Sequence, residues 1–322
     1  MSPLHSLLLT LAPSAVSEVP ASTPPQEAAN LSGYEREDEP ALGAELAREP
    51  SWSLRPNAWA RHAFGADVEG APGDLSVSRL GASMVASRPW GESRSLSLGL
   101  SHERVSYDFA GGEPIFGAGN PLERPSRSSV WTTWAQRESE DFGWSATFFT
   151  SAGLEAGAEL SDSWTWGGGA SVDYQLTDNF AVQLGVYGTS RLEDSFFVYP
   201  VSAIDWQVSE DVHVGSEGNG VGVGIDLGND VYTYTNIAFG VRQFRLDEDG
   251  FGPSQTFPGG VFRDDELSAN LALVWTPRER LRVEFYGGLA LRQLTLLDVE
   301  GAGFQLELDP APFVGAALSF GL

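Results

Sequence analysis

Three kinds of residue or segment are missing from this chain of 322 residues, and two of these absences exclude a class of protein. There is no cysteine, which excludes a disulfide scaffold, a thiolate zinc site and a cysteine nucleophile. There is no lysine, so all 19 basic residues are arginine. No segment approaches the run of about 20 apolar residues that a membrane helix needs. A membrane protein with this sequence must therefore cross as a closed β-barrel, which satisfies every backbone group in hydrocarbon.

Positive charge is also scarce. The 19 basic residues face 44 acidic ones, giving a net charge of −25 and an isoelectric point near 4.3. Such a balance argues against a nucleic-acid partner, because neutralising phosphates requires clustered lysine and arginine. It suits a secreted or surface protein that faces cations or basic solutes.

The first 72 residues read differently from the remainder. Leu7, Leu8, Leu9 and Leu11, followed by small residues at 15–17, predict a signal peptide over residues 1–17, although no basic residue precedes the apolar core. Residues 18–72 are predicted to be a disordered, acidic, proline-rich linker or lead-in. Within that region residues 51–72 leave two readings open, an extra strand or a plug-like lead-in.

From Gly73 to Leu322 the chain alternates apolar and polar residues with a period of two. The clearest hairpin is 164–187, where Trp164, Val172 and Tyr174 share one face while Ser171 and Asp173 share the other. The pattern recurs at 96–101, 203–208, 221–227, 267–275 and 281–292. It predicts an all-β fold in which each strand has one apolar and one polar face.

Turn spacing gives the architecture. Tight turns at 177–179, 209–211, 228–230 and 276–280 alternate with longer links at 191–196, 215–220, 246–265 and 297–311. Short turns at one end and long loops at the other are typical of an outer-membrane barrel. The sequence predicts an antiparallel up-and-down transmembrane β-barrel over 73–322 with about 12 strands. The count rises to 14 if the lead-in and the short 212–216 segment both cross.

The aromatic residues favour a membrane over a soluble sandwich. Trp164 and Tyr174 lie on one face ten residues apart, a separation that projects to about 23–25 Å for a tilted strand and matches the lipid-facing band of a barrel. The opposite face is mostly Gly, Ser and Ala with a few charges, as a confined wet interior requires. The predicted lipid-interface aromatic residues are Trp164, Trp166, Tyr174, Trp206 and Trp275.

The C-terminal residues Val314, Ala316, Leu318, Phe320 and Leu322 occupy every second position. A final amphipathic strand of this kind is the signal that barrel-assembly machinery recognises, although it usually ends in an aromatic residue rather than leucine. We therefore predict outer-membrane lipid and the barrel-assembly machinery as partners.

Several short strings resemble an uncharacterised family of predicted bacterial outer-membrane β-barrel proteins. They are 167–169, 190–194, 204–208, 244–247 and 309–313, and the likeness covers residues 163–322 with a weak extension to residue 73. The resemblance implies a fold and no activity, because that family has no assigned catalytic or binding residues to transfer.

Charged and amide residues on the polar face are the candidate site. The predicted lumen-lining residues are Asp173, Gln183, Arg191, Asp205, Asp226, Arg242, Asn270, Arg282, Glu284 and Arg292. Two readings remain open for the arginines: ion pairs that join the strands across the interior, or a constriction that selects solutes by charge.

No catalytic residue, cofactor or metal site is predicted. Ser101 and His102 are neighbours on one strand and point to opposite faces, so they cannot share a proton. The acidic segments 247–250 and 264–266 do not have the spacing of an EF-hand. The glycines at 218–224 lack the helix and lysine of a phosphate loop.

The sequence thus predicts an outer-membrane barrel that is either a passive channel for an unidentified small solute or a structural or surface barrel. The alternative is a secreted, soluble all-β binding protein, and an outer-membrane hydrolase ranks third. Recovery with membranes would favour the first reading, and solubility without detergent would favour the second.

Overall fold

The computed structural model describes residues 52–70, 72–91, 93–111, 122, 124–193, 196–217, 219–248, 257–278, 280–298 and 303–322. The predicted signal peptide and the linker up to residue 51 lie outside the described residues. No helix in these ranges is long and apolar enough to cross a membrane.

Fourteen strands account for almost all of the described chain. They are β1 (Ser53–Asp67), β2 (Asp74–Pro89), β3 (Arg94–Ala110), β4 (Ser126–Arg137), β5 (Phe142–Leu154), β6 (Trp164–Thr177), β7 (Phe180–Thr189), β8 (Phe197–Ser209), β9 (Val212–Glu217), β10 (Gly220–Gly228), β11 (Val231–Arg245), β12 (Val261–Arg278), β13 (Leu281–Leu297) and β14 (Gly303–Phe320). One turn of 3-10 helix, Leu160–Asp162, precedes β6.

The strands form a closed antiparallel barrel of up-and-down topology. Each strand pairs with the next along the chain, and β1 pairs with β14 from Asn57↔Ser319 to Ala63↔Phe313. The predicted all-β antiparallel barrel is therefore confirmed, with 14 strands rather than about 12. The lead-in forms β1 and the short 212–216 segment forms β9, so the barrel begins at Ser53 instead of Gly73.

The links between strands differ at the two ends. At the end that holds both ends of the described chain, turns of two or four residues join the strands. In the two-residue turn Asn229–Asp230 both residues have positive φ. At the other end the links 111–125, 155–163, 190–196 and 246–260 are longer. Two predicted long links are wrong in extent, because only residues 218–219 separate β9 from β10 and only 298–302 separate β13 from β14.

The barrel is pinched at its long-link end. Leu154 of β5 pairs with Arg245 of β11, which is not its neighbour in the sheet, and Glu155 donates its backbone N–H to the Arg245 carbonyl at 2.9 Å. A Cβ at Gly153 would overlap the Gln243 carbonyl oxygen, so only glycine permits this approach. The pinch separates a lobe bounded by β1–β5 and β11–β14 from a lobe bounded by β5–β11.

Candidate functional site

Side-chain contacts between strands that are not neighbours identify the inner face of the barrel. The Tyr107 hydroxyl on β3 donates to Asp264 on β12 at 2.7 Å, and Arg242 on β11 lies 3.5 Å from Glu103 on β3. Such contacts can only cross the interior of a closed barrel. Because successive side chains alternate, each of these residues fixes which positions of its strand face inward.

The outer face carries an apolar belt toward the short-turn end. The members of this belt are exposed leucine, valine, isoleucine and phenylalanine side chains on strands around the whole barrel: Leu80, Leu98, Leu100, Val172, Leu184, Val186, Val208, Ile225, Leu271, Leu273, Phe285, Leu289, Val314 and Leu318. Monomeric soluble proteins rarely expose a contiguous apolar surface of this extent.

The polarity of the two faces inverts above the belt, that is, on the side of the belt nearer the long-link end. On β13 the outward residues Phe285 and Leu289 are apolar while Arg292 points inward, but further along the strand Leu294 and Leu296 are buried inside. β3 changes in the same way, from exposed Leu98 and Leu100 to buried Val105 and Tyr107. The sequence predicts a polar inner face throughout, which is wrong at the long-link end, because strand segments beyond the belt bury apolar side chains inside as any water-soluble barrel does.

The inward apolar residues above the inversion form one packed group, which we call the apolar cap. It consists of Ala63, Ala66, Val68, Leu75, Val77, Val105, Tyr107, Leu122, Phe244, Leu246, Phe262, Ala290, Leu294, Leu296, Leu306, Leu308, Ala311 and Phe313. These residues come from β1–β3 and β11–β14 or the links beside them, so the cap fills the larger lobe at its long-link end.

The five predicted interface aromatic residues all lie on the outer face, and each is between 42% and 55% exposed. Trp164 and Trp166 begin β6 at the long-link end, whereas Tyr174, Trp206 and Trp275 lie near the short turns. They therefore fall into two groups, one at each edge of the belt. Their contact with a lipid interface stays a prediction.

One part of the inner wall is polar, rich in glycine and partly exposed. This wall belongs to β6–β10 and carries Asp173, Gln183, Asp205 and Asp226 of the predicted lumen-lining set. Gln183 pairs with Asp173 in register and donates to the Ser171 hydroxyl at 3.0 Å. The Asp205 side chain is 45% exposed and lies 3.0 Å from His213 on β9. Water therefore reaches this wall, unlike the interior of the cap.

Of the predicted residues on β12 and β13, Asn270, Arg282 and Glu284 lie on the same face and closer to the short turns than Arg292 does. Arg282 pairs with Glu284 at 3.1 Å, and Glu284 also accepts the Tyr234 hydroxyl at 2.6 Å. Asn270 pairs with Asn236 of β11 across the strands. Because Arg282 and Glu284 lie on one strand, their ion pair does not join strands across the interior, and both readings of these charges stay predictions.

Arg191 lies in the link between β7 and β8 rather than on a strand. Its guanidinium lies 4.7 Å from the centre of the Phe197 ring, and the adjoining Leu192 donates its backbone N–H to the Gln243 side chain of β11. Gln243 also donates to Glu193, and burial raises the pKa of that carboxyl above its ordinary value. The link thus packs against the outer face of β11 above the belt.

Arg245 connects three of the long-link segments. Its guanidinium donates to the carbonyl oxygens of Asp162, Leu192 and Gly259 at 2.7–3.0 Å. Since these carbonyls belong to three different links, one side chain at the pinch fixes the arrangement of the links over the smaller lobe.

A group of eight charged residues crosses the interior directly below the apolar cap. We call it the ionic layer: Arg61, Arg79, Glu103, Arg127, Arg242, Asp264, Glu266 and Arg292. Glu266 is its centre, in contact with three arginines from β1, β2 and β13. Asp264 lies 3.6 Å from Arg242 and 3.9 Å from Arg292, and Arg79 donates to Glu103 at 2.8 Å.

Sequence reasoning identified only Arg242 and Arg292 of this layer. The predicted acidic loop 264–266 is wrong, because these residues belong to β12, where Asp264 and Glu266 point inward and Asp265 outward. The sequence contains the pattern that would have identified them. Asp264 and Glu266 lie an even number of residues from Asn270, which was predicted to line the lumen, so extending the period of two along β12 places all three on one face.

Aromatic rings lie flat against glycines of the adjacent strand around the inner wall. A Cβ at Gly81 would overlap the Trp59 ring, one at Gly99 the Trp131 ring, and one at Gly167 the Phe149 ring. Gly169 is covered in the same way by Tyr187, and Gly315 by Tyr286. Rings held along the wall occupy less of the central space than rings that project from it.

Of the two residues considered for catalysis, His102 lies on the outer face of β3 and Ser101 on its inner face. His102 Nδ1 is 2.9 Å from the Ser128 hydroxyl of β4 rather than near Ser101, and within the described ranges no carboxylate hydrogen-bonds to this imidazole. A serine and a histidine alone lack the group that orients the base in a hydrolase triad. Among the same residues no group of three or more His, Asp or Glu is arranged to hold a metal ion.

Comparisons with known proteins place this barrel beside solved outer-membrane channels and porins. An outer-membrane channel from Pseudomonas putida F1 is 10% identical, with 88% of this chain and 100% of that chain covered and a TM-score of 0.45. The Pseudomonas putida toluene transporter TodX is 8% identical, with coverage of 85% and 90% and a TM-score of 0.39. The KdgM porin is 8% identical, with coverage of 82% and 98% and a TM-score of 0.33.

No family model and no curated protein matches the sequence, so the resemblance to an uncharacterised family stays a prediction. At identities of 10% or less and TM-scores below 0.5, the three solved structures support no argument about what this chain does.

Proposed function

We propose that this chain is a transmembrane barrel of the bacterial outer membrane and acts as a passive channel for small solutes. The polarity inversion is the observation that supports the location in a membrane. Below it, leucines and valines face outward and polar groups face inward, the reverse of a water-soluble barrel. Above it the strands follow the soluble pattern, so the inversion marks the upper edge of the bilayer.

We expect the protein to be recovered with outer membranes and to need detergent for extraction. The exposed apolar belt should hold it in lipid, because transferring that surface to water costs about 25 cal/mol per Å². The measurement is membrane fractionation, combined with gel migration before and after heating, which changes when a folded barrel unfolds. Recovery in the soluble fraction without detergent would favour a secreted binding protein instead.

The role as a channel for small solutes is supported by the water-accessible wall of β6–β10. Asp173, Gln183, Asp205 and Asp226 lie on this wall between glycines, and the exposed side chain of Asp205 indicates that water reaches it. Together with Arg282 and Glu284 these residues would line the lumen toward the short-turn end. Arg242 and Arg292 would lie deeper, in the ionic layer.

A bulky side chain on this wall should obstruct the lumen. In planar lipid bilayers we expect the wild-type barrel to give discrete conductance steps, and Gly224→Trp to reduce the step by roughly twofold or more by filling part of the path. Gly224 has room for a Cβ, whose nearest neighbour would be the Thr233 carbonyl oxygen at 3.9 Å, so the barrel should still form.

The matched control for this variant is Val223→Trp. It places the same ring one residue away on the outer face of β10 and should leave the conductance step unchanged. If the wild-type barrel inserts and conducts nothing, the channel role fails. The structural or surface role, which the packed apolar cap favours, would then stand alone.

A further inference from the structure

Arginines outnumber carboxylates in the ionic layer. Five arginines face three acidic side chains there, an excess of two positive charges in a chain whose net charge is −25. The excess is local, because the charged candidates of the wall near the short turns are mostly carboxylates. Buried like charges that are not neutralised are costly, so this layer favours the presence of a further negative charge.

Several guanidinium nitrogens of this layer have no hydrogen-bond acceptor. Arg61 donates through Nη1 to Glu266, but its Nε and Nη2 are buried without a partner, and its side chain is only 8% exposed. Arg79 Nη1 and Arg242 Nη1 also lack a hydrogen bond. A buried donor without an acceptor destabilises the fold, so an acceptor between these arginines would stabilise the barrel.

The chemistry of the missing acceptor follows from the donors. Guanidinium is a planar fork that matches the paired oxygens of a carboxylate or a phosphate. A cation would add to the positive excess, and a neutral hydroxyl compound would not reduce it. The ligand must also be small, because the apolar cap closes the layer on one side while the Trp59 and Trp131 rings line the wall on the other.

We propose that the ionic layer binds a small oxyanion, a carboxylate or a phosphate, and that the channel consequently prefers anionic solutes. The preference in transport rests on the proposed channel function, whereas binding does not require passage. The carboxylates nearer the short turns oppose this preference only weakly, because a group as exposed as Asp205 is screened by water and salt. Buried charges, such as those of the layer, are screened much less.

Binding is tested on the full-length barrel folded in detergent. Its unfolding temperature is measured in sodium acetate, sodium phosphate and sodium chloride at equal ionic strength. We expect acetate or phosphate to raise the unfolding temperature above its value in chloride, and the salt that raises it identifies the oxyanion. Arg61→Gln should weaken the apparent affinity by roughly tenfold, the value of one charged hydrogen bond.

The control is Arg104→Gln, which removes one arginine from the exposed outer face of β3 beside Glu103 and should keep the full anion effect. This pair separates binding from the general stabilisation that phosphate gives to any folded protein. If neither oxyanion exceeds chloride for the wild type, or if both variants respond as the wild type does, binding at the layer is overturned. If Arg61→Gln does not fold, the comparison of the three salts on the wild type still tests whether the barrel binds an oxyanion.

Selectivity is tested separately, by the reversal potential of the wild-type barrel across a potassium chloride gradient. A reversal potential of the sign set by chloride supports the proposal, and one of the sign set by potassium, or no preference, overturns its transport half. Absence of any conductance would overturn the proposed channel function instead. The anion-dependent unfolding temperature would in that case still decide whether the layer binds an oxyanion.

Discussion

Replacing Glu266 with glutamine (E266Q) is expected to lower the free energy of unfolding of the barrel by about 3–5 kcal/mol, the usual cost of removing one partner from a buried ion pair. Glu266 contacts Arg61, Arg79 and Arg292, and its side chain is 4% exposed. Without its charge, five arginines would share two carboxylates in a buried space.

The measurement is urea unfolding in lipid vesicles, followed by tryptophan fluorescence and by the heat-modifiable migration of the barrel. Asp108→Asn is the matched control, since it also removes one negative charge but lies exposed on the outer face of β3. We expect little change for the control. An E266Q barrel as stable as the wild type would mean that the ionic layer does not contribute to holding β12 against β1, β2 and β13.

Replacing Gly99 with alanine (G99A) is expected to destabilise the barrel by about 1–3 kcal/mol, the usual cost of overpacking. The added Cβ would overlap atoms Cε2 and Cζ2 of Trp131, whose ring is buried against β3. Either the ring must leave the wall or β3 and β4 must separate. A ring displaced into the interior should also reduce the conductance of the proposed channel.

The same change at Gly240 is the control for G99A. A Cβ at Gly240 would meet only Arg242 Nη2, at 3.8 Å, so Gly240→Ala should leave stability unchanged or slightly raised. In a Trp131→Ala background G99A should cost little, because the overlapping ring is gone. If G99A costs the same in both backgrounds, the contact between ring and glycine is not the cause of the destabilisation.

The strand pattern could be predicted from the sequence wherever one face lies in the belt. On β6, Trp164, Val172 and Tyr174 alternate with Ser171 and Asp173, and the structure places the two sets on opposite faces. Alternation is a local property, since each Cβ points to the side opposite its neighbour. The segments that form β1 and β9 were predicted only as alternatives, because the apolar residues of β1 do not keep a single parity and β9 has only six residues.

The partners of the buried charges could not be predicted in the same way. Arg242 and Arg292 were identified as facing inward, but they meet Glu103, Asp264 and Glu266 rather than Asp173 or Asp205. Glu103 lies on β3 and Arg242 on β11, far apart in the chain. Which charges meet depends on the stagger of 14 paired strands and on the pinch between β5 and β11, and neither leaves a local signal.

By itself the sequence determined the class of structure. The period-two alternation, the turn residues and the absence of any long apolar run leave a closed antiparallel barrel as the way for this chain to satisfy its backbone in lipid. Only the tertiary structure decided where the interior is packed and where water enters it. The reason is that burial across a barrel is set by strand stagger and closure, which bring residues such as Arg61 and Glu266 together although 204 residues separate them in the chain.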